Sequence, residues 1–300
     1  MKIALLGKSL EHSISPELHK LLWQILSPGH VSPEEKIEYI ITECESREAV
    51  AEWMKTAYGQ GFHGANVTAP YKGVVSELVT QSSEEASAAS SVNTLLLSQG
   101  SAKGYLTDGQ GLALSLKREL PNCGLSGIAW IVYGAGGAAR AVVEHLVRDW
   151  KPKHVTLAIR TESESSRNSA KLIVELIQSK YPDVEVALDK FGIIEDRGTE
   201  GILHLNCTPI GQRGRENWGN NLPTFIEDDI AIDLVYNPIE TEFITAARSV
   251  GAKTLGGLGM LIEQAALSEW IWLTDESRKD SPLTEHQYFA LKEQLSSLLH

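Results

Sequence analysis

The sequence predicts an α/β protein built on parallel sheets with helices on both faces, and three observations carry that reading. Strand-like and helix-like segments alternate almost from end to end of the 300 residues, the order that generates βαβ units. Residues 3–6 and 128–133 are short, continuous apolar runs, as expected of strands covered on both faces. The glycine-rich turn Tyr133-Gly134-Ala135-Gly136-Gly137 lies between the second of these runs and a helical segment. At about 150 residues per domain, the length divides into two domains or makes one large one.

The elements follow in order. Residues 3–6 read as a strand, and 16–26 as a helix with Pro16 in its first turn. Alternation through Ile37, Tyr39 and Ile41 predicts a strand over 36–42, and Ser46 caps a helix running to about 58. A short strand at 64–68 precedes a helix led by Pro70 and ending near 79. The Ser-, Ala- and Glu-rich stretch 82–91 fits helix or loop equally well. Strands at 91–97 and 102–106 turn at Gly100, and helical spacing resumes over 109–120. Beyond the strand at 128–133 come a helix to about 150, a strand at 155–159 and a helix at 164–180. Strands at 184–188, 202–206 and 230–235 follow, and helices at 240–250, 257–273 and 284–299 end the chain. The most exposed linker is 275–282.

Hydrophobic residues make up 42% of the chain and charged residues 22%, enough apolar material for a true core. With 39 acids against 27 bases the formal charge is −12, a field that repels nucleic-acid phosphates and anionic lipid. Cys44, Cys123 and Cys207 are widely spaced and odd in number, so neither a disulfide framework nor a metal site is expected. The apolar start Lys2-Ile3-Ala4-Leu5-Leu6-Gly7 is too short for a signal peptide, and no apolar run reaches membrane-spanning length. The expectation is a soluble cytoplasmic protein whose partner is a small molecule, with no nucleic acid and no membrane.

In the glycine-rich turn, Gly134 permits a tight bend, Gly136 lets a pyrophosphate approach the backbone, and Ala139 is the third small position against the sheet. The helix start offers backbone N–H groups to phosphates. The same turn also serves as a plain tight βα connection. The next strand ends Ile159-Arg160-Thr161 with no acid for ribose hydroxyls. Arg160 there is either a guanidinium suited to a 2′-phosphate, which puts NADP ahead of NAD, or a solvated strand-end charge. Glu162 and Glu164 just beyond keep NAD open.

The densest polar chemistry lies outside that unit, in His12-Ser13-Ile14-Ser15-Pro16, Asn66-Val67-Thr68-Ala69-Pro70-Tyr71-Lys72, Val92-Asn93-Thr94 and Thr107-Asp108-Gly109. Clusters of short hydroxyl and amide side chains near strand ends are where α/β enzymes collect ligand groups. Hydride transfer to or from an alcohol carbon needs a group to exchange the hydroxyl proton, and a lysine oriented by a carboxylate can do this. Taken singly, each residue has a plainer reading: Ser13, Ser15 and Asp108 as helix caps, Lys72 as a surface charge, His12 and His19 as structural.

Together these segments resemble the shikimate dehydrogenase family. The match covers 12–16, 66–72, 91–94, 107–108, 134–141, Asn206-Cys207-Thr208-Pro209, 233–238 and 257–264, in the family's order. The family reduces 3-dehydroshikimate to shikimate with NADPH in aromatic amino acid biosynthesis. The resemblance implies an N-terminal α/β substrate domain over 1–108, a Rossmann-like NADP-binding domain over 109–255, and C-terminal helices over 256–300 that return to the first domain. It implies a Lys72–Asp108 catalytic pair, a carboxylate pocket from Ser13 and Ser15 assisted by Tyr236, and ring-hydroxyl contacts from Thr68, Asn93, Asp108 and Gln264. Cofactor contacts would run along Gly134, Ala135, Gly136, Gly137 and Ala138, with Arg160, Thr161, Thr208 and Gly257. Either a monomer or a homodimer is compatible.

The chain departs from the family pattern at Leu106 and Ile159, where the family carries Asn, at Gln212, where it often carries Met, and at Lys20. Three rivals stand beside the leading reading: a quinate/shikimate dehydrogenase using NAD, a non-catalytic shikimate-binding paralogue, and a folate-type methylene dehydrogenase. Retention of both Lys72 and Asp108 argues against a mere binder, and the serine pair suits a polyol acid better than a pterin.

Overall fold

The computed structural model describes residues 1–11, 13–192 and 200–299, and these form two six-stranded sheets. The chain divides into two units, one of Met1–Leu114 with Ile262–Glu293, the other of Ser115–Leu261 with Gln294–His300. His12 lies outside the described residues.

The first unit runs through β1 (Lys2–Gly7), α1 (Ser15–Leu26), β2 (Glu38–Glu43), α2 (Arg47–Thr56), β3 (Gly64–Val67), α3 (Lys72–Leu78), β4 (Gln81–Ser82), α4 (Glu84–Ala89), β5 (Thr94–Ser98) and β6 (Ser101–Tyr105); α5 (Asp108–Glu119) carries the chain out of it. Its sheet has the order β2-β1-β3-β5-β6-β4. β1 pairs in parallel with β2 and β3, whereas β5 is antiparallel to both β3 and β6. The sheet is therefore mixed, not the wholly parallel one that the alternation of elements predicts. The cause is local. Ser98 pairs with Ser101 across a two-residue turn in which Gly100 takes φ +71°, and such a hairpin can join only antiparallel strands.

Interior β1 buries Ile3, Ala4 and Leu6 completely, which accounts for its unbroken apolar run. β2 is an edge strand, and its alternation does not give a single buried face, because Ile41 is 41% exposed. Ser46 caps α2 as expected, its Oγ accepting from Ala49 N at 3.2 Å. Pro70 does not lead α3. Ala69–Pro70 is a cis peptide, Tyr71 N–H donates to Thr68 O at 3.0 Å to close a turn around the proline, and the helix starts only at Lys72.

The second unit contains β7 (Ala129–Tyr133), α6 (Gly137–Trp150), β8 (His154–Ile159), α7 (Glu164–Lys180), β9 (Glu185–Lys190), β10 (Leu203–Asn206), β11 (Ile230–Asp233), α8 (Glu242–Ser249) and β12 (Lys253–Leu255). Its sheet is parallel throughout, in the order β12-β11-β10-β7-β8-β9. β12, with three residues, is too short to show a period and escapes sequence reading. From β7 the chain builds outward through β8 and β9, then returns to add β10 on the other side. The connections leaving β7 and β10 diverge there, and such a switch point is where open α/β sheets bind ligands. Tyr133, Trp218, Phe225 and Phe243 pack as the aromatic core of this unit, Tyr133 edge-on to Trp218 at 5.3 Å. The chain closes with α9 (Leu258–Thr274) and α10 (Glu285–Leu298), most of whose residues belong to the first unit. Among the described residues no helix is long and apolar enough to cross a membrane.

α9 is locked to the first sheet by Trp272, whose indole Nε1 donates to Leu95 O at 2.8 Å. Gly64 on β3 leaves the room for this contact, since a Cβ there would run into both the Leu95 carbonyl and the indole. Gly64→Ala is expected to destabilise the protein by about 1–3 kcal/mol through overpacking and loss of the indole bond. The measurement is a lowered urea midpoint at unchanged m-value; an unmoved midpoint would contradict the account.

Candidate active site

Lys72 and Asp108 occupy equivalent places, each the first residue of a helix that follows a strand of the first sheet. Lys72 Nζ donates to Asp108 Oδ2 at 2.7 Å, and the two side chains are 17% and 7% exposed. Solvated pairs of this kind contribute little; this one is largely withdrawn from water. Surface charge therefore does not describe Lys72, yet enough of it stays exposed for proton exchange with solvent.

Two neighbouring residues hold the pair. Val92 N–H donates to Lys72 O at 3.0 Å, and Asn93 Oδ1 accepts from Thr107 N at 2.9 Å, directly before Asp108. Asn93 Nδ2 donates to Thr107 Oγ1 at 2.9 Å and to Gln264 Oε1 at 3.3 Å, while Oδ1 also accepts from Thr94 Oγ1 at 3.0 Å. Thr107 Oγ1 reaches Gln264 O at 3.0 Å. Asn93 and Gln264, 171 residues apart in sequence, are thus in direct contact.

Behind this layer lie further polar residues, of which Ser268 falls outside the polar clusters that the sequence marks. Asn66 Nδ2 donates to Ser268 Oγ at 3.2 Å and to Asn93 O at 3.3 Å, and the hydroxyls of Ser268 and Thr94 meet at 2.7 Å. Gln264, Ser268 and Trp272 recur every four residues on one face of α9, and that polar stripe on an apolar helix was the available signal. His19, which sequence leaves without a partner, has one: its Nδ1 lies 2.7 Å from Glu269 Oε2, both residues buried.

Ser13 and Ser15 are half-buried and adjacent, Ser15 N–H donating to Ser13 Oγ at 3.3 Å. Neither caps α1, since its cap position is Ile14 and no side chain fills the role. Thr68 is half-buried just past β3, its N–H bonded to Leu6 O. Tyr236 belongs to the second unit, where burial raises its phenol above the ordinary tyrosine value.

In the second unit the glycine turn sits at the end of β7. Gly134 takes φ +90°, and a Cβ on it would press on Thr208 Cγ2, from the loop after β10. Among the described residues, Cβ atoms on Gly136 or Gly137 would meet nothing within 4 Å, and no side chain caps α6 at Gly136. Open backbone at an uncapped helix start beside a switch point is the cradle a dinucleotide pyrophosphate requires. Ala135 and Ala138 line the same turn, Ala135 buried and Ala138 half-buried. Thr208 is fixed by Asn206 Oδ1, which accepts from its N–H at 2.9 Å and its hydroxyl at 2.7 Å. Gly257 N–H donates to Val235 O at 3.2 Å, and a Cβ there would collide with the Leu234 backbone. Arg160 is half-exposed, ion-paired with Glu216 and facing the Phe191 ring at 5.9 Å. The Thr161 carbonyl accepts from Arg167. Of the departures from the family pattern, Leu106 and Ile159 are buried apolar residues.

A family profile described as the shikimate dehydrogenase substrate binding domain matches residues 5–95. Over 289 residues the chain is 32% identical to a shikimate dehydrogenase (NADP(+)) of Clostridium perfringens strain 13, covering 96% of this chain and 97% of the relative. A solved shikimate dehydrogenase in complex with NADP+ superposes with TM-score 0.78 at 30% identity, covering 98% of this chain and 95% of the other. The Thermus thermophilus enzyme in complex with NADP(H) and shikimate gives TM-score 0.74 at 27% identity, covering 98% and 99%.

Asp233, at the end of β11, accepts from Asn206 Nδ2, Val235 N and Thr241 Oγ1 at 2.7–2.9 Å. Burial outweighs these donors and pushes its carboxyl up to about 6. A carboxyl raised on folding binds its proton more tightly in the native state, so its contribution to stability falls as pH rises from about 4 to about 6. Asp233→Asn should abolish that part of the pH dependence, seen in urea midpoints between pH 4 and 7. Parallel profiles for both proteins would refute the assignment.

Proposed function

The chain belongs to the shikimate dehydrogenase family, and from that membership we propose that it reduces 3-dehydroshikimate to shikimate with NADPH. The observation that carries the reading is the desolvated Lys72–Asp108 contact of 2.7 Å. In this reading the first unit holds the substrate and the second holds the dinucleotide. Bound NADPH supplies the hydride to the carbonyl carbon.

The Lys72 ammonium donates a proton from Nζ to the carbonyl oxygen as negative charge develops there. Asp108 keeps that ammonium aimed and accepts a hydrogen bond from it throughout; the neutral amine regains its proton from solvent through the exposed part of the side chain. Ser13 and Ser15 bind the substrate carboxylate as neutral donors. Thr68, Asn93 and Gln264 take ring hydroxyls, several fixed contacts that orient the reacting carbon. The open backbone of Gly134–Gly137 would hold the dinucleotide pyrophosphate, and the Arg160 guanidinium, now paired with Glu216, would hold the 2′-phosphate. The existing Arg160–Glu216 pair favours a second reading, in which the guanidinium stays with Glu216 and NAD serves as well as NADP.

Purified protein with shikimate and NADP should generate the absorbance of the reduced nicotinamide; its absence would refute the activity. Lys72→Ala should lower kcat by about 10²- to 10⁴-fold, the usual worth of general acid–base catalysis, while shikimate affinity shifts by less than about five-fold. Unchanged turnover would remove Lys72 from the reaction. Arg160→Ala should weaken NADP at least about ten-fold and NAD by less than about two-fold, the loss of a charge-assisted contact to one cofactor only. Equal losses for both cofactors would favour the second reading.

A further inference from the structure

The carboxylate that faces Arg160 has no part in the proposed reaction, yet the fold holds it in place. Glu216 sits on the loop between β10 and β11, in the same unit as the glycine turn. Asn206 holds Thr208 at the start of that loop, and Thr208 Oγ1 accepts from Ile210 N–H at 3.2 Å. Gly211, at φ +85°, donates its N–H to Glu216 O at 2.8 Å, and Arg213 N–H donates to Asn237 O at 2.9 Å. Two residues beyond Glu216, Trp218 is buried, with its N–H on Glu242 Oε2 at 3.3 Å. The backbone that carries Glu216 is thus tied to the strand end that carries Thr208.

Arg160 is held from its own side. It directly follows β8, and Phe191 N–H donates to the carbonyl of the preceding residue, Ile159, at 2.7 Å. The Phe191 ring faces the guanidinium at 5.9 Å and stacks on Trp218 at 5.5 Å. Neighbouring charges are engaged elsewhere: Glu162 with Lys190 Nζ at 3.2 Å, and the Arg167 guanidinium with the Thr161 carbonyl. Arg160 and Glu216 are left to each other, each side chain about half exposed.

We propose that Glu216 is a cofactor-specificity residue, an internal carboxylate on the Arg160 guanidinium that a 2′-phosphate has to displace; this rests on Arg160 meeting that phosphate, as the proposed function has it. Carboxylate and phosphate oxygens both match the planar fork of a guanidinium, so the two compete for it. Exchanging a half-exposed ion pair costs no more than about five-fold in affinity, and that cost falls on NADP alone. NAD carries a hydroxyl where NADP carries the phosphate, and it leaves the pair undisturbed. Glu216 therefore narrows the preference for NADP that Arg160 creates.

The test is calorimetric titration of NADP and of NAD into the intact protein, wild type against Glu216→Gln, which keeps the shape and removes the charge. The variant should bind NADP about two- to five-fold more tightly, with NAD affinity unmoved. Structural damage would weaken binding, so the sign of the change separates the two. In an Arg160→Ala background the same substitution should leave NADP affinity unchanged, because the carboxylate acts through the guanidinium. A gain that persists in full without Arg160 would overturn the proposal, since direct repulsion of the phosphate would then account for it. Unchanged or weaker NADP binding by Glu216→Gln, with Arg160→Ala still losing NADP selectively, would overturn the proposal and leave the cofactor reading intact. Equal losses of NADP and NAD in Arg160→Ala would overturn both.

Discussion

The candidate site depends on one short stretch of backbone, Val92-Asn93, where the chain enters β5. Val92 N–H ties down the carbonyl of Lys72, and the Asn93 amide ties down the N–H of Thr107, which precedes Asp108. Two helices that start 36 residues apart therefore have their first residues set by adjacent positions on the segment that leads into β5. Backbone bonding thus fixes where the two side chains begin, and their rotamers close the 2.7 Å contact between ammonium and carboxylate. That matters because buried charge pairs are poor stabilisers. Here the sheet forms for its own reasons and carries the pair with it.

The second unit solves an equivalent problem with the same chemistry. Asn206 ends β10 with its amide buried, its oxygen holding Thr208 and its nitrogen held by Asp233. Asp233 in turn takes Val235 N–H and Thr241 Oγ1. An asparagine at or beside a strand end, with two donors and an acceptor oxygen in a fixed plane, pins a loop of the candidate site in each case. In each case the cost of burying it is met by complete hydrogen bonding, the condition under which a polar network rigidifies a core without weakening it. The aromatic core around Tyr133 supplies the packing from which these polar strand ends project.

Much of this was legible in the sequence, and the parts that were not share physical causes. The parallel second sheet, its glycine turn and nearly every helix follow from apolar runs and capping residues, because those signals are local. The mixed character of the first sheet was hidden in the two-residue turn at Gly100, which marked a hairpin whose place in the sheet no local pattern gives. Pro70 misled because a proline before a helix looks the same whether it starts the helix or closes a turn ahead of it. Ile41 misled because alternation on an edge strand need not face a core. In the site, Lys72, Asp108, Asn93 and Gln264 were named from motifs, and the structure brings them together. Ser268 and Glu269 were passed over because each is an unremarkable residue on its own element. Only the tertiary fold turns a glutamate within an apolar helix into the partner of His19.

Hydrogen-bond accounting also constrains how Asn93 could serve a substrate hydroxyl. Its four polar positions are already engaged, two donors on Thr107 Oγ1 and Gln264 Oε1, two acceptances from Thr107 N and Thr94 Oγ1. Three of those bonds measure 2.9–3.0 Å and belong to the framework that places Asp108. The fourth, to Gln264, is the longest at 3.3 Å. A ring hydroxyl can both accept from Asn93 Nδ2 and donate to Gln264 Oε1, so inserting it between them replaces one long bond with two normal ones. Asn93 can therefore serve a ligand only in company with Gln264, and the carboxylate of Asp108 stays where strand β5 has put it.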